Sequence, residues 1–230
     1  MARKIEKIIE EQFQTWRHSH DHAKLKSSKK KVFPIITISR EFGARGAALA
    51  EYLENKIEFK MWDKDLIRSI AKEIGGGVRS VETLDERHQQ MMQDTVTGFL
   101  MNIPTNVTYL RSLTRVIKTI EGFGKSIVVG RGANYICQNP NALHVRVVCP
   151  LNLRITEYAK RENLNQNEAR LIIERKDRER EDFIKQNFHK NVSNPADYDL
   201  ILNSETFSMV QMAELVISAY EKKTGMKLNN

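Results

Sequence analysis

Cysteine, proline and long apolar runs are all scarce in this chain of 230 residues, and each scarcity excludes a class of protein. Its two cysteines, Cys137 and Cys149, have neither metal-ligand spacing nor the density of a disulfide scaffold, so both are interpreted as small buried hydrophobes. No apolar run approaches the roughly 20 residues that a membrane-spanning helix needs. With 5 prolines and 40% hydrophobic residues, the composition predicts one well-filled core.

The N-terminal residues and the net charge constrain the compartment and the partners. The first residues lack the apolar central region of a secretory signal, so the expected compartment is the cytoplasm and no membrane partner is expected. A net charge of +8 indicates an anionic partner. Nucleic acid is disfavoured, because basic residues alternate with acidic ones and no aromatic stacking platform stands out. A homodimer is left open.

Residues 1–31 form a distinct N-terminal region. Ile5, Ile9 and Phe13 belong to an apolar set at helical spacing, and a lysine-rich stretch follows. This pattern predicts an amphipathic helix and a basic linker. A helix packed on its own domain is favoured over one that docks a partner or dimerises.

From residue 32 to residue 224, short β-branched runs alternate with amphipathic segments. This alternation predicts one α/β domain built on a doubly wound parallel sheet of about five strands flanked by helices. Residues 80–122 are expected to be a helical insertion, and residues 166–190 to carry a long charged helix. Strands are expected at 32–39, 57–61, 126–129, 143–149 and 198–202.

The turn after the first strand, residues 39–48, is the first candidate site. Gly43 and Gly46 let the backbone turn tightly and expose N–H groups at the start of a helix, where phosphate binds well. An ordinary strand-to-helix turn explains the same residues, and the pattern alone does not decide between the two.

Two further turns follow strands and are candidates, since ligands of an open parallel sheet bind beyond the carboxyl ends of its strands. Asp63 suits a sugar hydroxyl or a base amine, and helix capping accounts for it equally well. Arg131, between Gly130 and Gly132, has a planar guanidinium that suits a phosphate, and the functional interpretation is favoured there.

The long charged helix carries Arg175, Arg178 and Arg180, interleaved with acidic residues. One interpretation is a solvated helix with ion pairs between its turns. The other is a lid whose arginines close over transferring phosphates, because phosphoryl transfer depends on charge placed around the phosphoryl oxygens.

Taken together, these segments resemble the cytidylate kinase-like family, a branch of the nucleoside monophosphate kinases of the P-loop fold. The resemblance covers about residues 34–221 and rests on the order and spacing of its segments. The segments are 36–43 with Gly46, 62–67, 128–134, 178–180 with Phe183, and 198–203.

The resemblance implies ATP as phosphoryl donor, a magnesium ion, and CMP or dCMP as the nucleotide substrate that accepts the phosphoryl group. Residues 43–46 would wrap the donor phosphates, Asp63 and Arg131 would face the acceptor, and Asp177 would orient the lid arginines. No side chain is assigned as a metal ligand. The implied nucleotide-binding residues are Ser39, Arg40, Gly43, Ala44, Gly46, Ala47, Asp63, Arg131 and Asp177, and the implied catalytic residues are Arg45, Arg175, Arg178 and Arg180.

Three positions depart from the family pattern. Gly46 stands where the phosphate-binding loop has its lysine, and Ala48 where it has its magnesium-binding hydroxyl. At the acceptor site, Gly132 replaces the aspartate of an arginine–aspartate pair. Arg45 or Arg40 lies near enough in sequence to replace the lysine's charge, and the hypothesis is that Arg45 does. The alternatives to cytidylate kinase activity are a catalytically weak or inactive nucleotide-binding regulator and a kinase for another small molecule.

Overall fold

A five-stranded parallel sheet forms the centre of the molecule. The computed structural model describes residues 34–63, 67 and 105–228. Within them the sheet has the order β2-β3-β1-β4-β5, which confirms the predicted α/β class with five parallel strands. The strands are β1 (Ile35–Arg40), β2 (Lys60–Trp62), β3 (Ser126–Val129), β4 (Ala142–Val148) and β5 (Leu200–Asn203).

Helices cover both faces of this sheet. The described helices are α1 (Gly46–Ile57), α2 (Thr105–Phe123), α3 (Ala133–Ile136), α4 (Leu151–Glu162), α5 (Gln166–Phe188) and α6 (Met209–Thr224), with a 3₁₀ turn at Pro195–Asp197. Among the described residues, no helix is both long and apolar enough to cross a membrane.

Several predicted boundaries shift. Ile57 ends α1 instead of opening the second strand, because it continues the buried helical stripe of Leu49 and Leu53. The last strand begins at Leu200, after the 3₁₀ turn. The N-terminal region 1–31 and residues 80–104 of the expected insertion lie outside the described residues, as does most of the helix expected after Asp63.

The core has one apolar cluster on each face of the sheet, because β-branched side chains of β1 alternate between the two faces. Ile36 and Ile38 pack with α1 and α6, whereas Ile35 packs with α2 and α3. Burial on both faces explains why β1 reads as a continuous apolar run in the sequence. It also fixes β1 rigidly beneath the loop that follows it.

The position of β1 brings three loops together. Ile38 pairs with Val129 of β3 on one side and with Val145 of β4 on the other, in parallel register. The carboxyl ends of the three strands are therefore neighbours, and the loops that begin at Glu41, Gly130 and Cys149 start side by side.

Helices α4 and α5 form a hairpin that leans back over this edge. Ile155 and Ala159 of α4 pack against Ala169 and Ile173 of α5, with Phe42 of the first loop against the same cluster. The start of α5 is fixed by a capping box, in which Asn165 and Glu168 bind each other's backbone N–H groups. The predicted long charged helix thus reaches the loop after β1.

We predict that Ser126→Ala destabilises the sheet at β2. The indole Nε1 of buried Trp62 donates to Ser126 Oγ at 3.2 Å, and that hydroxyl donates to the carbonyl of Gly124 at 2.7 Å. Removing the hydroxyl leaves both groups without this partner, which lowers the free energy of unfolding by about 1–3 kcal/mol.

Urea unfolding measures this loss, with Thr156→Ala as the matched control. Thr156 Oγ1 donates to Asn152 O within an exposed helical turn, so its loss costs less than about 0.5 kcal/mol. Equal losses for the two variants would contradict the prediction.

Candidate phosphate-binding site

The loop between β1 and α1 has the backbone of an anion-binding turn. Gly43 (φ +83°) and Arg45 (φ +62°) both lie in the left-handed region, and α1 begins at Gly46 without a side-chain cap. Its first N–H groups are therefore the donors of the uncapped helix end, where an anion binds favourably. For Arg45 this conformation costs about 1–2 kcal/mol, and strain of that kind clusters at functional sites.

Arg154, in the first turn of α4, binds the backbone of this loop. Its guanidinium is buried and donates from Nε to Cys149 O (2.8 Å) and from Nη1 to Phe42 O (3.0 Å). It also forms ion pairs with the carboxylates of Asp177 and Glu41. One side chain therefore joins β4, the loop and α5.

Glu41 extends the same network to the carboxyl end of β4. Its Oε2 accepts the N–H of Cys149 at 3.0 Å, and its Oε1 lies 3.9 Å from Nη2 of buried Arg146. Arg146 in turn donates to Ser39 Oγ at 3.2 Å and lies over the ring of Tyr198. The acidic residue of the loop is thus a structural anchor between two arginines.

Asp177 ties α5 to the top of the loop. Its Oδ1 accepts the backbone N–H of Phe42 at 2.7 Å, while its Oδ2 binds Arg154. The sequence predicted that Asp177 orients lid arginines; its hydrogen bonds run to the loop and to α4, and its charge also acts on the guanidinium of Arg180. One turn further along, Arg180 Nη1 donates to Arg40 O at 3.0 Å, and burial lowers the pKa of the Arg180 guanidinium.

A cleft of about 190 Å³ opens above the carboxyl ends of β1 and β3 and below α5. Among the residues that the structure describes, four cationic side chains line it, against one carboxylate, that of Glu179. The cations are Arg40, Arg131, Lys176 and Arg180. Because positive charge predominates in a recess with partly apolar walls, the cleft attracts an anion.

Two donors in this cleft have no partner among the described residues. Arg131 Nε and Asn134 Nδ2 are both buried and neither finds a protein acceptor there. The Arg131 guanidinium lies 5.3 Å from the ring centre of Phe183, which supports its flat face. Buried donors are normally paired, so these two mark a place for an acceptor-rich ligand.

The other predicted site residues are distributed around the cleft. Ser39 lines it together with Arg40, Arg131 and Arg180, whereas Asp177 anchors the loop beside it. Asp63 lies outside the lining, and its carbonyl accepts the N–H of Ile67, as at the start of a helix. The residues that surround the helix start, outside the cleft, are Gly43, Ala44, Arg45, Gly46 and Ala47.

Three of the predicted catalytic arginines are exposed. Arg45 is 51% exposed and lies 3.9 Å from Glu157, and Arg175 is 64% exposed and lies 3.9 Å from Glu179. Arg178 is also exposed. Only Arg180 of the four lines the cleft in the described structure.

A sequence profile of the cytidylate kinase-like family matches residues 35–206, about three quarters of the protein. The chain belongs to the cytidylate kinase-like family. This membership, with the parallel sheet and the loop after β1, gives it a kinase-like P-loop fold and supports a phosphotransferase.

Two solved structures were compared with this chain of the cytidylate kinase-like family. An uncharacterized protein from Eubacterium ventriosum superposes with a TM-score of 0.62 at 19% identity, over 82% of this chain and 98% of the other. Shikimate kinase from Bacteroides thetaiotaomicron gives a TM-score of 0.43 at 12% identity, over 84% and 99% of the two chains. The first of these shows a shared fold.

One curated relative is similar over part of the sequence. Uronate isomerase from Corynebacterium glutamicum is 25% identical over 131 residues, which are 57% of this chain and 25% of that protein. The cytidylate kinase-like chain thus spans about a quarter of the length of this relative.

The cofactors that the family implies fit the site unequally. The uncapped start of α1 and the cation-lined cleft suit the phosphates of ATP. The side-chain ligand for magnesium is missing, because Ala48 has no side-chain oxygen at the position where the family loop has a hydroxyl. Among the described residues, no group of three or more His, Cys, Asp or Glu side chains could hold a metal ion.

The missing lysine has a steric explanation. The Cβ of a side chain at position 46 would lie 2.6 Å from Cβ of Arg40, closer than real Cβ contacts, and 3.1 Å from its Cγ, which is unusually tight. The missing aspartate has a similar one, since a Cβ on Gly132 would lie 2.3 Å from the ring of Phe188. At both positions, therefore, a neighbouring side chain occupies the space that the family residue would need.

Sequence reasoning missed Glu41, Arg146 and Arg154 as parts of the site. A signal was present for Arg146, which lies inside the apolar run 143–149, but not for Arg154, which lies in the helix that follows. An arginine in a buried strand needs a partner. Glu41 offered no comparable signal, because a loop glutamate is ordinarily exposed.

We predict that Arg154→Met destabilises the protein strongly. Methionine retains much of the side-chain volume but leaves Glu41 and Asp177 without their shared cation, at a cost of about 3 kcal/mol in free energy of unfolding. Arg161→Met on the same helix is the control, since its pair with Glu162 is exposed and contributes less than about 1 kcal/mol. Chemical denaturation of both variants checks the difference; similar losses would refute the anchoring role of Arg154.

We also predict that Gly46→Ala destabilises the loop. The methyl group meets the stem of Arg40, and overpacking of this kind costs about 1–3 kcal/mol. Gly122→Ala in α2 is the matched control, because its Cβ has nothing within 4 Å and alanine favours a helix by about 0.5 kcal/mol. Thermal unfolding should therefore shift in opposite directions. A neutral Gly46→Ala would show that the loop has room for a side chain.

Proposed function

We propose that this protein is an ATP-dependent kinase that phosphorylates a nucleoside monophosphate, with CMP or dCMP as the first candidate. The observation that carries the proposal is the pair of unpartnered donors, Arg131 Nε and Asn134 Nδ2, in a cation-lined cleft beside the loop after β1. Together with the family, it supports a phosphate group on the acceptor.

Two neighbouring anion sites are needed for such a transfer, and two are available. The start of α1 offers backbone N–H groups, and the end of β3 offers Arg131 and Asn134. These two ends are adjacent because β1 pairs with β3. Bound ATP would supply the γ-phosphoryl group, and fixed donors around it stabilise the charge that develops during transfer.

Arg180 closes this arrangement from α5. Its Nη1 holds the carbonyl of Arg40, its guanidinium lies over the ring of Phe42, and it lines the cleft. A cation held in place by such contacts is preorganised, so little reorganisation is needed when phosphate arrives. Arg175 and Arg178 would join it only if substrates draw α5 further over the cleft.

A coupled phosphotransfer assay over nucleoside monophosphates and small alcohols tests the proposal, with ATP and magnesium present. We expect turnover with CMP or dCMP, and Arg131→Met should raise KM for the acceptor about tenfold or more, because a charge-assisted hydrogen bond is lost. Thr156→Ala serves as the unaffected control. Absence of turnover across the whole panel would overturn the kinase proposal.

A second candidate function is a nucleotide-binding regulator with little or no catalysis. The observation that favours it is the loop itself, in which Gly46 leaves no room for a lysine and Ala48 carries no hydroxyl. Saturable ATP binding by calorimetry, without turnover in the same panel, would support this candidate over the kinase.

A further inference from the structure

The side chain of Arg40 takes the path that a loop lysine would otherwise need. Its Cβ and Cγ lie 2.6 and 3.1 Å from the Cβ position of Gly46, at the start of α1. At its far end, Nη1 lies 2.1 Å from the Cβ position of Gly130, at the end of β3. The side chain therefore runs from the phosphate-binding loop to the loop that carries Arg131.

The two glycines leave room for this path. At Gly46 a side chain would meet the Cβ and Cγ of Arg40, which cannot move away easily, and at Gly130 it would displace the guanidinium from its present position. Gly130 has φ +80°, a conformation that also favours glycine. The side chain of Arg40 thus occupies the space that a lysine at position 46 would need, so the two side chains exclude each other.

Arg45 is placed differently. It is 51% exposed, lies 3.9 Å from Glu157 of α4, and is absent from the lining of the cleft, which includes Arg40. Its backbone forms the left-handed turn into α1, so its role there is conformational. The sequence-based hypothesis that Arg45 replaces the lysine is therefore not the one that the contacts favour.

We propose that Arg40 is the phosphate-binding cation of this site, and that it contacts the phosphate chain of the nucleotide where the family loop uses lysine. The inference rests on the proposed function. A guanidinium at the junction of the two loops lies between the donor and acceptor anion sites, where charge must be placed during phosphoryl transfer. Its backbone carbonyl is held by Arg180, which limits its movement.

The test compares Arg40→Met with Arg40→Lys, Arg45→Met and Arg170→Met in the full chain. Arg170 pairs with Glu174 on α5 and lies outside the cleft lining, so it controls for loss of one positive charge. Calorimetry measures the affinity for ATP, for AMP and for inorganic tripolyphosphate, and circular dichroism checks that each variant is folded.

We expect Arg40→Met to weaken ATP and tripolyphosphate binding about tenfold or more while changing AMP binding less, because a charge-assisted contact to the outer phosphates is lost. Arg40→Lys should retain most of the preference for ATP over AMP. A variant with a merely structural defect would weaken all three ligands alike. Should Arg40→Met fail to fold, Arg40→Gln replaces it, because this variant also removes the charge; a preference for ATP over AMP that Arg40→Lys keeps and Arg40→Gln loses supports the inference, and a preference that both keep overturns it.

Three outcomes overturn the inference, and they differ in what they say about the proposed function. If the wild-type protein transfers phosphate but Arg40→Met binds ATP as well as Arg170→Met does, Arg40 is not the cation and the kinase proposal stands. The same holds if the loss follows Arg45→Met instead. If the wild-type protein binds neither ATP nor tripolyphosphate, both the inference and the proposed function fail.

Discussion

The buried guanidinium of Arg154 is the contact on which the arrangement of the site depends. It binds two carbonyls and two carboxylates that belong to three separate parts of the chain: the loop after β1, the end of β4, and α5. Each of these partners is polar and would be costly to bury alone, so the cation and its acceptors stabilise one another. With Arg154 in place, Asp177 reaches the N–H of Phe42, and α5 is fixed as the roof of the cleft.

This anchoring separates the residues that build the loop from those that can meet a ligand. Glu41, Asp177 and Arg154 are engaged with one another, which directs the remaining cations toward the cleft. Arg131 and Arg180 rest on the rings of Phe183 and Phe42. Aromatic faces hold a guanidinium without using up its hydrogen-bond donors, so such support leaves donors available for phosphate oxygens. Glu41 and Asp177 are paired with Arg154 outside the lining, so among the described residues Glu179 alone offsets the cations that line the cleft.

The fold could be predicted from the sequence because its signals are local. Apolar β-branched runs gave β1 and β3, helical spacing gave the long α5, and the arrangement of strands between helices gave a parallel sheet. The cleft could be predicted in part. Arg131 was expected at a ligand site because it follows a strand, and Arg180 because it lies on the charged helix; both line the cleft. Contacts between residues far apart in the chain could not be predicted from the sequence. Nothing in the sequence near Glu41 indicates Arg154, and the course of Arg40 becomes visible only where Gly46 and Gly130 come together.

The contact between Gly132 and Phe188 has a consequence for how this protein can change. Phe188 ends α5 and packs with Tyr135 and Phe183, while its ring fills the space that a side chain at position 132 would need. An aspartate at position 132, as the family pattern has it, would meet this ring, so Phe188 would have to turn away or be replaced by a smaller residue. Position 132 is therefore coupled by packing to the last residue of α5, and the acceptor-side loop cannot change there without an adjustment at the far end of another helix.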